Sequence, residues 1–331
     1  MIHRRTALQA LAGLGPIAAA SLSRPARAQG QAKIQGAPPL HLVVPAPPGG
    51  PTDILARVLA EGAHPALGRV VVVENKPGAG GVIGSEAVAR AAPDGNTIVL
   101  GHNQTHASNQ WMMPNLPYDV IASFTPVARL GTVHHALVVG ADSPSHTLAE
   151  LIERGRREDL SYASSQAGSA SHVISETLVR RTGMRAVHVP YRGAAPAATD
   201  TMTGVVDFYT ATFPSVAPLV RDGKLRALAI GAPARLPDFP DIPTAAEAGQ
   251  PEPFVDAWFG LFAPAQTPAP VVERIAGAML GVVRDPSMGE KLRNAGFTLA
   301  PQGPAEFAAF QKQEVARWQE MVRLTGVKLE G

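Results

Sequence analysis

The chain has 331 residues, 45% of them apolar, with 29 Lys and Arg against 27 Asp and Glu, a formal charge of +2 and no cysteine. Its 32 glycines and 31 prolines stay below the roughly 25–30% combined share of low-complexity chains. A folded protein with a sizeable core is expected, in one large domain or two ordinary ones. Disulfides, thiolate metal sites and a lipid-bearing cysteine are excluded.

The basic balance is local. Arg4, Arg5, Arg24 and Arg27 lie within residues 1–28, which hold no acidic residue. Without them, 25 basic residues face 27 acidic ones, a net of −2. The isoelectric point near 9.0 therefore belongs to this segment. With only 5% aromatic residues and no basic-aromatic interleaving, a nucleic-acid surface is not supported. Two arginines, an apolar run over 7–20 and Ala26-Arg27-Ala28 form a secretory leader. The run is too short for the roughly 20 residues of a bilayer span. It resembles a twin-arginine export signal, with Ala7 where that pattern prefers Phe. A soluble protein of the bacterial periplasm follows, an N-terminal anchor or a disordered tail being the other readings of this segment.

Beyond a Pro-containing spacer, strand and helix patterns alternate. Strands are expected at 40–44, 70–74 and 97–100, with helices at 52–67 and 82–91 between them. The rhythm resumes with strands at 136–139, 160–163, 186–189, 206–209 and 225–230. Helices at 148–156, 169–182 and 195–203 separate them. From Pro268 the tail reads as mostly helical, ending in a helix over 304–324. Such a β-α-β rhythm predicts an α/β protein with parallel sheets. No internal repeat and no compositional boundary is visible.

Three loops at strand ends invite a ligand. The first, Pro47-Pro48-Gly49-Gly50-Pro51-Thr52-Asp53, opens a helix, where free N–H groups and the positive dipole end seat a carboxylate or phosphate. It is not a Walker loop, since no Gly-Lys-Ser/Thr follows; an ordinary βα turn capped by Thr52 or Asp53 is the other reading. In the second, Gly78 and Gly80 match a dinucleotide fingerprint, but Ile83 stands where its third glycine belongs, so a Rossmann site fails. Backbone packing or a cleft-lining loop remain. In the third, Ser164, Ser165, Gly168, Ser169 and His172 surround another helix start. It reads as a second anion seat, as ordinary capping and packing, or as a Ser/His hydrolase lacking any G-x-S-x-G elbow. His102 and His106 lie four apart in a loop, and the adjacent His134 and His135 cannot both face one ion from a strand. No metal site assembles by spacing.

Taken together and in order, these segments resemble the Bug-type receptors of tripartite tricarboxylate transporters. The resemblance rests on Pro47–Asp53, on Asn75-Lys76-Pro77-Gly78-Ala79-Gly80-Gly81 and on Pro93-Asp94-Gly95. It continues through Tyr118-Asp119, Phe124-Thr125-Pro126-Val127, Gly168-Ser169 with His172, and Val189-Pro190-Tyr191-Arg192-Gly193 with Pro196 and Asp200. Pro240-Asp241-Ile242-Pro243-Thr244, Glu247-Ala248-Gly249, Trp258, Gly260, Ala263-Pro264 and Pro268 complete it. It implies a two-lobed periplasmic binding protein of type II, a Venus flytrap with a mostly parallel sheet in each lobe. Residues 31–102 with 230–331 would form one lobe and 103–229 the other. The implied ligand set is Gly49, Gly50, Pro51, Thr52, Asp53, Thr105, His106, Ser164, Ser165, Gly168, Ser169, His172, Thr210 and Ala211.

The implied activity is binding of a small carboxylate and delivery to membrane permease subunits, by a monomer without cofactor or catalysis. Presentation of the ligand to a membrane signalling kinase, or exported hydrolysis, are the alternatives. Where relatives often place an acidic or amide residue, this chain has Thr210-Ala211-Thr212. That favours a non-amino acid ligand, since an ammonium group would need a carboxylate partner.

Overall fold

Strand β1 (Leu40–Val44) is apolar almost throughout and lies between β2 (Val71–Asn75) and β3 (Thr97–His102), parallel to both. A run buried on both faces is what an interior parallel strand requires. The computed structural model describes residues 38–329; the leader expected over 1–28 lies outside the described residues. Helix α1 (Pro51–Leu67) returns from β1 to β2, opened by Pro51 and closed by Gly68 at φ +64°, a left-handed cap that glycine adopts without steric cost. Helix α2 (Val82–Ala89) leads into β3.

After β3 come a short irregular helical segment, α3 (Asn109–Met112) and the long strand β4 (Phe124–Val133). Only His134 separates β4 from β5 (His135–Gly140), which belongs to a different sheet. There follow α4 (Leu148–Arg157), β6 (Leu160–Ser164), α5 (Ala170–Thr182), β7 (Ala186–Pro190) and α6 (Ala194–Met202). Next come β8 (Phe208–Thr212), α7 (Phe213–Arg221) and β9 (Leu225–Ile230). The chain then returns through β10 (Ala257–Pro264), α8 (Ala269–Arg284), α9 (Pro286–Asn294), β11 (Thr298–Gln302) and α10 (Pro304–Thr325).

Two sheets result, in the orders β11-β4-β10-β3-β1-β2 and β7-β6-β8-β5-β9. The class is α/β, but the sheets are mixed rather than mostly parallel. In the first, β10 runs antiparallel to β3 and β4, and β11 to β4. In the second, β5 runs antiparallel to β8 and β9. The reason is topological: the strands that carry the chain between sheets are inserted without a crossover helix.

The change of sheet also falls later than the 102/103 division, because β4 still pairs with β10. Its single-residue crossing at His134 leaves no linker for composition to reveal. The chain returns to the first sheet between β9 and β10. Helix α10 packs on β4 and α5, and one apolar cluster joins Val99 and Phe262 of the first sheet to Leu137 and Tyr162 of the second.

Candidate functional site

The first loop is folded by its own acid. The Asp53 carboxylate accepts the Gly49 N–H at 3.0 Å and pairs with Arg57 Nε and Nη2 at 2.9 and 3.0 Å. Chiefly through Arg57, its pKa is held below the usual carboxylate value. Asp53 and Thr52 are buried, so Asp53 shapes the loop and has its charge already answered. Gly49 sits at φ +85°, whereas Gly50 is extended (φ −84°, ψ 173°) with open space where a Cβ would stand. In thermal or urea unfolding, Gly49→Ala is expected to lose about 1 kcal/mol from the left-handed backbone. Gly50→Ala should be neutral; equal losses in the two variants would contradict this placement.

The second glycine segment packs backbone. A Cβ on Gly84 would stand 2.7 Å from the Lys76 carbonyl, and one on Gly81 2.4 Å from Thr105 Cγ2.

In the third loop, Ser169 caps α5, accepting the His172 N–H. Its hydroxyl bonds the Gln166 carbonyl at 2.6 Å and Ser171 Oγ at 2.9 Å, and Ser171 Oγ accepts the Ser165 N–H at 3.0 Å. His172 stacks on His188 at 3.6 Å between ring centroids, and its Nδ1 accepts the Gly168 N–H at 3.1 Å. Burial pushes His172 down to about 4. The serine that meets an imidazole is Ser164, 2.7 Å from His188 Nε2, but Ser164 is fully buried and inaccessible to a substrate.

Ser165, Ser169, Ala170 and Ser171 of this loop line a cavity of about 150 Å³. Around it stand Ala194 at the start of α6, Tyr209 and Thr212 of β8, and His135 at the start of β5. His102 of β3, Asn103 and Gln104 just after it, and Ala257 of β10 complete the lining. No Asp, Glu, Lys or Arg side chain is among these lining residues. The N–H groups of Ala170, Ser171, Ala194 and Ala195, in the first turns of α5 and α6, have no protein hydrogen bond among the described residues. Two helix starts thus bring unpaired donors to one place. Burial holds Tyr209 protonated, its pKa raised despite the opposing influence of Ser165, and lowers His102 and His135 to about 4. The cavity therefore offers neutral donors, without ionised groups, at pH 7.

Gly49 and Pro51 line instead a cavity of about 690 Å³, with Ile54, His134, Phe213 and Ser215 among its walls. The two cavities flank the His134-His135 and Thr212-Phe213 steps of the chain. The first and third loops therefore line two separate cavities.

Four expected residues point elsewhere. Thr105 and His106 are fully buried: Thr105 Oγ1 bonds His106 Nδ1 at 2.8 Å, and His106 stacks on Phe262 at 4.0 Å. Thr210 Oγ1 accepts from Ser175 Oγ at 2.8 Å, and Ala211 is core. The small cavity is lined instead by their neighbours, His102, Asn103 and Gln104 before Thr105, and Tyr209 and Thr212 either side of Thr210-Ala211. Strand alternation pairs Tyr209 with Ala211 and Thr210 with Thr212, so the sequence pattern of β8 carries no signal that separates the lining residues from their neighbours. His135 was noticed only as a metal candidate.

Among the described residues no helix is long and apolar enough to cross a membrane. The model of the tripartite tricarboxylate transporter family receptor matches residues 55–327. The structure of the periplasmic binding protein BugD is 35% identical with a TM-score of 0.77, covering 88% of this chain and 99% of that one. MatC from Rhodopseudomonas palustris, solved with bound malate, is 34% identical at a TM-score of 0.75, covering 86% and 98%. Rpa4515 of R. palustris, solved with adipate, is 32% identical at 0.79, covering 87% and 97%. A family match over most of the chain and a shared fold lead to one conclusion: the chain belongs to the tripartite tricarboxylate transporter receptors, Bug-type periplasmic solute-binding proteins of two-lobed α/β fold, and not to an enzyme family.

Proposed function

We propose that this chain is exported to the periplasm, binds a small carboxylate in the 150 Å³ cavity and delivers it, as a monomer, to the permease subunits of a tripartite transporter. The observation that carries this reading is the pair of helix starts, α5 and α6, whose lining residues Ala170, Ser171 and Ala194 have unpaired N–H groups among the described residues. A carboxylate fits them, because a charge-assisted bond to a backbone N–H contributes about 1.5–3 kcal/mol. No counter-charge is then needed from a chain that is slightly acidic without residues 1–28. The bound malate and adipate of the two R. palustris proteins support the ligand class.

The absence of Asp and Glu from the lining residues favours acids without an ammonium group. Closure of the lobes by a hinge at His134 and the 231–256 segment would convert binding into a shape the permease reads. Calorimetry with malate, succinate, adipate, benzoate, aspartate and glutamate tests the reading. Non-amino acids should bind and amino acids should not; saturable aspartate binding with none by the others would reverse the ligand class. N-terminal sequencing of periplasmic protein should begin at Gln29.

A further inference from the structure

Most groups around the small cavity donate hydrogen bonds, or can. Backbone N–H groups only donate, and the hydroxyls of Ser165, Tyr209 and Thr212 rotate to suit either partner. Asn103 and Gln104 also carry amide oxygens that accept, and His135 adds an acceptor nitrogen. Its side chain is 2% exposed, and its Nδ1 lies 2.8 Å from the Val255 carbonyl oxygen. A carbonyl only accepts, so the ring proton resides on Nδ1 and Nε2 carries a lone pair. Burial keeps the ring neutral at pH 7, against the weaker pull of the Val255 carbonyl and Asp256; His134 adds to the lowering. Nε2 has no protein partner among the described hydrogen bonds, and the ring lines the cavity.

A carboxylate oxygen cannot satisfy this atom, because both carry lone pairs. A ligand hydroxyl can. Resting on the carboxylate reading above, we propose that His135 is a specificity determinant, its Nε2 accepting a hydroxyl proton, so that the receptor selects hydroxy acids over otherwise identical acids. The same donors that hold the carboxylate leave this acceptor for a second group on the ligand. A site built to bond a hydroxyl discriminates strongly against the analogue that lacks it, since the buried acceptor is then left unpaired.

Matched pairs read this directly: malate with succinate, lactate with propionate, and mandelate with phenylacetate, each titrated by calorimetry at pH 7. The wild type should bind the hydroxylated member of at least one pair about tenfold or more tighter. His135→Leu should bring the ratio to within about twofold, whatever its effect on absolute affinity. His135→Gln, which keeps an acceptor, should retain part of the preference. Ratios near one in the wild type overturn the hydroxyl assignment and leave the carboxylate reading standing. No binding by any member overturns both. Uptake of a proton on binding, seen as a dependence of the enthalpy on buffer ionisation in the wild type and absent from His135→Leu, would show that His135 meets the ligand as an imidazolium and would also overturn it.

Discussion

Acidification from pH 7 to pH 5 is expected to strip several kcal/mol from the folding stability, before any carboxylate is protonated in quantity. Burial lowers His102, His135 and His172 to about 4, and His106 well below its ordinary value. His106 shows why: its ring lies between Phe262 and Phe124, 4.0 and 4.5 Å between centroids, and its Nε2 is buried without a partner. A proton there would be an unpaired buried charge.

In the unfolded chain these rings titrate near 6.5. Their folded values are depressed, so the stability they permit is complete above about pH 6.5 and is lost as the pH falls toward 4. Over that window the unfolded state binds protons that the folded state does not. Each such proton is worth about 1.4 kcal/mol per pH unit. His102 and His172 are less enclosed than His106 and His135 and contribute less. Even two fully coupled rings remove about 2–3 kcal/mol between pH 6 and 5, a large share of a typical 5–15 kcal/mol. Urea unfolding midpoints at half-unit intervals from pH 7.5 to 4.5 measure the slope. A flat profile down to pH 5 would show that the rings ionise in place. Asp53 and Glu74, whose values are lowered by their partners, add their loss only below about pH 4, outside the histidine window.

The sequence was legible wherever a strand was followed by a helix. The strands at 40–44 and 225–230 agree with β1 and β9 residue for residue, and α1, α4 and α5 agree within a residue at each end. What was not legible is the antiparallel part. In β4, Pro126 and Gly131 interrupt the pattern, and Pro126 is tolerated where the register with β10 shifts, as prolines in sheets are at bulges. β10 is buried at every position and shows no alternation to count. Pro214 and Pro218 concealed α7.

At the site, the serine-rich start of α5 announced itself through residue type. The side chains opposite it did not: Tyr209 and Thr212 line the cavity while Thr210 and Ala211 between them do not, a division that the period-two alternation of β8 does not make. Likewise His134 and His135 differ only by a step, yet they border different cavities. Residue type marked the loops; which neighbour lines a cavity is set by tertiary packing that residue type does not show.

The strongest loss of binding is expected from Ala194→Glu. Ala194 is the first residue of α6, following Gly193 at φ 136°, and lines the small cavity. It is partly exposed, so a longer side chain has room outside the core. An acidic residue in a first helical turn favours the helix by about 0.3–1 kcal/mol, so the fold should be undisturbed. The new carboxylate competes with the ligand for the N–H groups of α5 and α6 and repels its charge. Two like charges about 4 Å apart cost on the order of 4 kcal/mol at an effective dielectric of about 20. At about 1.4 kcal/mol per decade, discounting that repulsion for relaxation and water still leaves affinity at least about a hundredfold weaker. Ala194→Gln, similar in size and uncharged, should lose less than about tenfold, which separates charge from bulk. Calorimetry with the tightest-binding acid, alongside thermal unfolding of all three proteins, measures both effects. Equal affinities for the Glu and Gln variants would show that no anionic group of the ligand lies at the start of α6.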